Sequence, residues 1–176
     1  MAYADTIDLD ALVQGEIPFA TAALLLDLVA DEIDLGAGRP LAETARVETF
    51  DGPGASTLWL DWPLSEVTSV KVDGITLTAD GGYTWSRSGW LTRIGDVWAA
   101  GSVIEVAYTS GFPAGAPELG VARRVSLEIA ARVAANPQAL ESLTADGVSA
   151  TFGLGLGLDD AQKANIRRFT SRRRVA

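Results

Sequence analysis

The side chains that most often carry chemistry are thinly represented in this sequence. Among its 176 residues there is no histidine and no cysteine. The commonest general base and metal ligand is therefore absent, and so are thiolate nucleophiles and disulfides. Carboxylates, serine, lysine and tyrosine remain. Two carboxylates can hydrolyse a glycosidic bond, but 23 acidic residues offer many pairs and spacing marks none of them. No metal-ligand spacing, Walker sequence or nucleophile elbow occurs. The sequence thus predicts no catalytic residue, no metal site and no cofactor. Gly153-Leu154-Gly155-Leu156-Gly157-Leu158 looks like a phosphate-cradling loop only superficially. It lacks the dinucleotide-binding spacing and has no β-α-β setting, so it reads as an extended arm.

Two other groups of residues could bind rather than react. All five tryptophans fall between positions 59 and 98. Indoles bury large areas, so their first expected role is a small core. Several exposed on one face would instead make a platform for sugars or bases. The second group is basic. Residues 1–162 hold eight basic and 23 acidic side chains, a net −15. The last fourteen hold six basic side chains (Lys163, Arg167, Arg168, Arg172, Arg173 and Arg174) and no acid, a net +6. An acidic body with a basic tail points to an acidic partner for the tail. The arginines could also bind nucleic acid, but the charge of the body opposes it.

The elements that must position these groups follow from periodicity. Residues 117–136 form the central helix: Pro117 suits its first turn, Glu118 favours the positive end of the helix dipole, and Asn136-Pro137 stops it. Val121, Val125, Leu127, Ile129, Ala130, Val133 and Ala134 cover more than half its circumference. So broad an apolar surface needs cover on several sides, from this chain or from copies of it. Earlier helices are predicted at 8–14 and from Pro18 to about 35, ended by Gly36-Ala37-Gly38. Asp31, Glu32 and Asp34 near the end of the second oppose its dipole, and a basic neighbour would answer them. Between 45 and 110 the period changes to two. About seven short strands separated by turns predict an antiparallel meander or small barrel, with Asp73-Gly74 the clearest hairpin turn. Gln138 to Leu143 is expected to add a helical turn, and Asp146 to Phe152 a strand. Asp159 caps a last helix, 160–170, too short to be stable alone. The fold class is α+β: a small helical bundle around a long central helix, an inserted β region, and a C-terminal arm ending in a short helix. Residues 1–152 are expected to form the body and 153–176 the arm. The opening MAYADTIDLDALVQ lacks the basic and long apolar regions of a secretory leader. The longest apolar run, Ala22 to Leu26, is too short to span a membrane, so no membrane partner is expected.

This order of elements resembles the head-to-tail adaptor (connector) proteins of tailed bacteriophages. The likeness runs from about residue 16 to 174. It is carried by LDWPLSEVTSVKVDG (60–74), GYTWSRSGWLTRIGDVWAAGSVIEVAYTSGF (82–112), SLEIAARVAANP (126–137) and NIRRFTSRRR (165–174). Phe169 stands where that family has an aromatic residue in a compact arginine-flanked ending. The resemblance implies a non-enzymatic virion protein at the head-tail interface, made in the host cytoplasm. It implies a ring of copies, twelve by the family pattern, between the portal protein and the next tail-completion (stopper) protein, with genomic DNA passing through the lumen without specific binding. By the same resemblance Leu154, Leu156, Leu158, Ile166, Arg167, Arg168, Phe169, Arg172, Arg173 and Arg174 would dock on the portal. The alternative is a carbohydrate- or ligand-binding β module with a tryptophan-rich surface.

Overall fold

The computed structural model describes residues 2–13, 17–135, 142–145, 148–151 and 157–170. The class is α+β, with four helices and three antiparallel sheets among the described residues. The chain divides into two compact units. One joins residues 1–39 to 115–170, and the other spans 40–114.

The first unit is helical. α1 (Thr6–Leu12) starts at Asp5, whose carboxylate accepts from the Asp8 N–H at 3.0 Å. α2 (Phe19–Ala37) buries Ala22, Leu26, Val29, Ala30, Ile33 and Ala37, the i, i+3, i+4 stripe of a helix packed on one side. Its end is a Schellman motif. Gly38, at φ 71°, donates to Leu35 O (3.1 Å), and Arg39 donates to Asp34 O (3.0 Å). α3 (Pro117–Ala135) is the predicted central helix and buries Ala122, Val125, Ser126, Ile129 and Ala130 against α2 and α1. Leu26, Ile33 and Ile129 are almost or wholly excluded from solvent, each contributing about 2 kcal/mol of transfer free energy. α4 (Asp160–Arg167) packs on α2 and α3. Two strands, β8 (Ser142–Ala145) and β9 (Val148–Thr151), pair as a hairpin within this unit. Ser142 and Leu143 are therefore extended where a helical turn is expected from sequence. Their partners Thr151 and Ala150 lie only nine and seven positions on, a separation a tight hairpin bridges. The rest of that expected turn, 138–141, lies outside the described residues.

The second unit holds seven strands: β1 (Thr44–Asp51), β2 (Thr57–Trp59), β3 (Leu64–Val72), β4 (Ile75–Thr76), β5 (Tyr83–Ser86), β6 (Trp90–Arg93) and β7 (Val103–Ser110). They form one sheet in the order β1-β7-β3-β4 and another in the order β2-β6-β5. The β3–β4 turn is the predicted one. Asp73 and Gly74 take φ 49° and 80°, the paired positive values of a type I′ hairpin. Leu58, Leu60, Leu64, Val70, Tyr83, Leu91, Trp98, Ile104, Val106 and Tyr108 make its core. Gly111 closes the end of β7 at φ 120°. A Cβ there would lie 2.4 Å from Ala42 O, so the close passage of the chain at Ala42 requires glycine.

Candidate docking surface

α4 is held at both ends and along one face. Asp159 and Gln162 form a capping box. The Gln162 N–H donates to Asp159 Oδ1 (2.7 Å), and the Asp159 N–H donates to Gln162 Oε1 (3.0 Å). Gln162 Nε2 reaches Glu128 of α3 at 3.4 Å. Before the helix, Arg132 Nη2 donates to Gly157 O at 2.7 Å. After it, Arg39 Nε donates to Phe169 O at 2.8 Å. Leu158 and Ile166 are buried, and both approach α2 at Gly36. A Cβ on Gly36 would sit 2.8 Å from Leu158 Cδ1, so a larger residue there would require the Leu158 side chain to shift.

The expected docking residues therefore divide. Arg167 and Arg168 are exposed on α4, beside exposed Lys163. Phe169 is half-buried. Leu158 and Ile166 are enclosed by the chain's own helices. Leu154, Leu156, Arg172, Arg173 and Arg174 lie outside the described residues. No signal in the sequence marked the inward role of Leu158 and Ile166, since an eight-residue helix gives too little periodicity to say which neighbour covers it.

The acidic end of α2 is answered in part. The Tyr3 hydroxyl donates to the Asp34 carboxylate, a bond across 31 positions that sequence spacing could not show. Asp27, Asp31 and Glu32 have no ion pair or side-chain hydrogen bond among the described residues. On α3, Arg123 holds Asp8 of α1 through both Nε (3.0 Å) and Nη2. That guanidinium keeps the Asp8 carboxyl below its ordinary pKa, first by the hydrogen bond and also by its charge.

The second unit carries a buried polar cluster that sequence reading missed. Arg46 Nη1 meets Asp61 Oδ2 at 2.9 Å, with Glu48 Oε1 at 3.7 Å. The Tyr108 hydroxyl donates to Glu48 Oε2 at 2.9 Å, and the guanidinium lies 5.8 Å from the Tyr108 ring centroid. Burial, then the bond to Glu48, pushes the Tyr108 pKa well above its ordinary value, so the phenol stays protonated as a donor. These groups are locked on one another, with no nucleophile–base pair among them. No group of three or more acidic side chains placed to hold a metal occurs among the described residues.

The tryptophans take mostly structural places. Trp98 is buried and Trp85 packs on the core. Trp62 meets Phe112 edge-on at 5.7 Å. Trp59 and Trp90 are cross-strand partners on β2 and β6, facing away from buried Leu58 and Leu91. Only Trp59 of the five is exposed, so the platform expected of the alternative reading shrinks to this one pair.

No protein-family model matches the sequence. No curated protein matches it. Solved structures do share its fold. A chain in the neck of an empty GTA particle, computed with C6 symmetry, superposes with a TM-score of 0.57 at 17% identity, covering 97% of this chain and 90% of that one. A chain in the virion of a native gene transfer agent particle gives 0.56 at 16% identity with the same coverage. At these identities the likeness establishes the fold, over nearly the whole of both chains.

Proposed function

We propose that this chain is a non-enzymatic structural protein of a phage-like particle, acting as the head-to-tail adaptor between the portal and the tail-completion proteins. The observation that carries the reading is the fold shared along 97% of the chain with a protein from a particle neck. Sequence motifs and charge distribution support it independently. Copies of the chain make a ring around the DNA path. A C6 assembly accommodates twelve copies as well as six, so the family number of twelve is retained. The net −15 of residues 1–162 repels phosphates, so the genome passes through the lumen without adhering.

In this reading the basic end of the chain meets an acidic portal surface. Arg167 and Arg168 already face outward on α4, and Arg172, Arg173 and Arg174 continue the charge in sequence. Phe169 and the leucines Leu154 and Leu156 supply the apolar part of the contact. Leu158 and Ile166 orient α4 on the body, and they reach the portal only if α4 leaves α2.

The test is co-sedimentation with the portal ring from the same source. The full chain is expected to travel with the portal near physiological salt. Exposed charge pairs are screened beyond about 8 Å at that ionic strength and more strongly above it, so binding should weaken as salt rises. Arg167→Glu with Arg168→Glu should weaken it further while leaving the helical circular dichroism intact. Failure of the full chain to sediment with the portal at every salt concentration removes the adaptor reading. Binding that ignores both salt and the two substitutions moves the contact to the apolar residues.

A further inference from the structure

α2 keeps one face that nothing among the described residues covers, and α3 keeps one covered only in part, with Leu127 and Ala131 half-buried against Leu9, Ala22, Leu26 and Ala130. On α2 the face is Leu24, Leu28, Asp31 and Leu35, the leucines exposed at 61%, 44% and 76%. Asp27 flanks it. On α3 the corresponding face is Gly120, Arg124, Leu127 and Ala131, the floor of a groove of about 620 Å³ also lined by Leu12, Arg123 and Glu128. Both sets repeat at intervals of four, three and four residues, so each stripe spans three turns, roughly 16 Å. α2 and α3 pack on each other through their buried faces. The two stripes therefore point away from one another, on opposite sides of the pair.

We propose that the leucine stripe of α2 in one copy seats in the α1–α3 groove of the next copy. This deepens the adaptor reading, on which it rests only for closure of the contacts into a ring. The stripes match in an antiparallel register. Leu24 then faces Ala131, Leu28 faces Leu127, Asp31 faces Arg124 and Leu35 faces Gly120. At exposed Gly120 an added Cβ would meet nothing within 4 Å, so nothing there blocks the large Leu35 side chain. The parallel register would set Leu28 on Arg124 and Asp31 on Leu127, placing apolar groups on charges.

Charge selects the same partner. Asp27 and Asp31 are exposed on α2 and have no ion pair among the described residues. The groove brings Arg124 to them, while Arg123 stays paired with Asp8. Among the described residues Arg124 pairs with Glu128 alone, at 3.9 Å on an exposed helix face, a pairing that contributes little and can be exchanged. A surface that binds a different surface of its own kind is heterologous. Such contacts close into a ring when the rotation per step allows and otherwise extend as a filament.

The absence of cysteine makes the pairing testable by directed cross-linking of the full chain. Leu28→Cys and Leu127→Cys are made separately, each checked for unchanged circular dichroism, then mixed under oxidation with and without the portal ring. Facing positions on packed helices fall within disulfide reach. The mixture is expected to give a cross-linked dimer, each variant alone only background, and the double variant a ladder. Asp31→Arg should lower the mixed yield about threefold, the scale of an exposed pair, and Arg124→Asp in the partner copy should restore it. Two results overturn the pairing: Leu28→Cys linking to itself as well as to Leu127→Cys, or no mixed dimer either at high protein concentration or on the portal. Portal binding without the cross-link leaves the adaptor reading standing and removes this interface. The cross-link without portal binding does the reverse.

Discussion

Ile166→Ala is expected to release α4 from the helical unit. Ile166 is fully buried, and truncating a buried isoleucine to alanine costs about 2–5 kcal/mol. An eight-residue helix has no stability of its own in water to offset that loss. At about 3 kcal/mol the amides of Asp160–Arg167 should exchange roughly a hundredfold faster, while those of α2 and α3 keep their protection. Unchanged exchange in α4 would show that the hydrogen bonds from Arg39, Arg132 and Gln162 hold it without the apolar contact. The variant also separates two roles for the arm. If α4 docks from its seat on α2, loosening it should weaken portal binding. If it must leave α2 to dock, loosening it should strengthen binding.

The other large effect belongs to the strand unit. Asp61→Ala leaves Arg46 enclosed beside Glu48 and Tyr108 without its nearest counter-charge. The two side chains are 5% and 15% exposed, so water cannot take the place of the carboxylate. Breaking such a pair from one side destabilises by about 3–5 kcal/mol, and Glu48 at 3.7 Å places this case at the lower end. Replacing both partners, Arg46→Met with Asp61→Leu, should recover part of the loss, because the charge that then remains, Glu48, is 24% exposed and still accepts from the Tyr108 hydroxyl. All five tryptophans lie in this unit, so their fluorescence in a denaturant titration reports on it selectively. A midpoint shift as large in the double variant as in Asp61→Ala would contradict this account of the cluster. Ile166→Ala should leave that fluorescence transition in place.

Much of the fold was legible in the sequence because its signals are local. Pro117 and Asn136-Pro137 bracket α3 to within one residue, and Gly38 ends α2 through the geometry that glycine permits. Asp73-Gly74 fixes a hairpin whose two positive φ angles few other dipeptides accept. What was not legible depends on residues far apart in the chain. β7 lies between β1 and β3, from which it is separated by tens of residues, and alternation says that a strand has two faces but not which strand it joins. Arg46 and Asp61 are each unremarkable in sequence and meet only once both sheets exist. The same holds for the arm. The basic residues Arg167 and Arg168 face outward as their charge suggests, whereas Leu158 and Ile166 turn inward onto Gly36, a contact no spacing rule encodes. The broad apolar surface read from α3 proved half satisfied. Val125, Ile129 and Ala130 are buried, while Leu127, half-buried on the core, also lines an open groove.

The most direct test of the adaptor reading is electron microscopy of the full chain bound to the portal ring. The account predicts a closed ring of copies on the portal axis, with the helical units meeting one another and an open central channel wide enough for duplex DNA. Density that is absent from the axis, or that decorates the outside of the portal without closing, would contradict it.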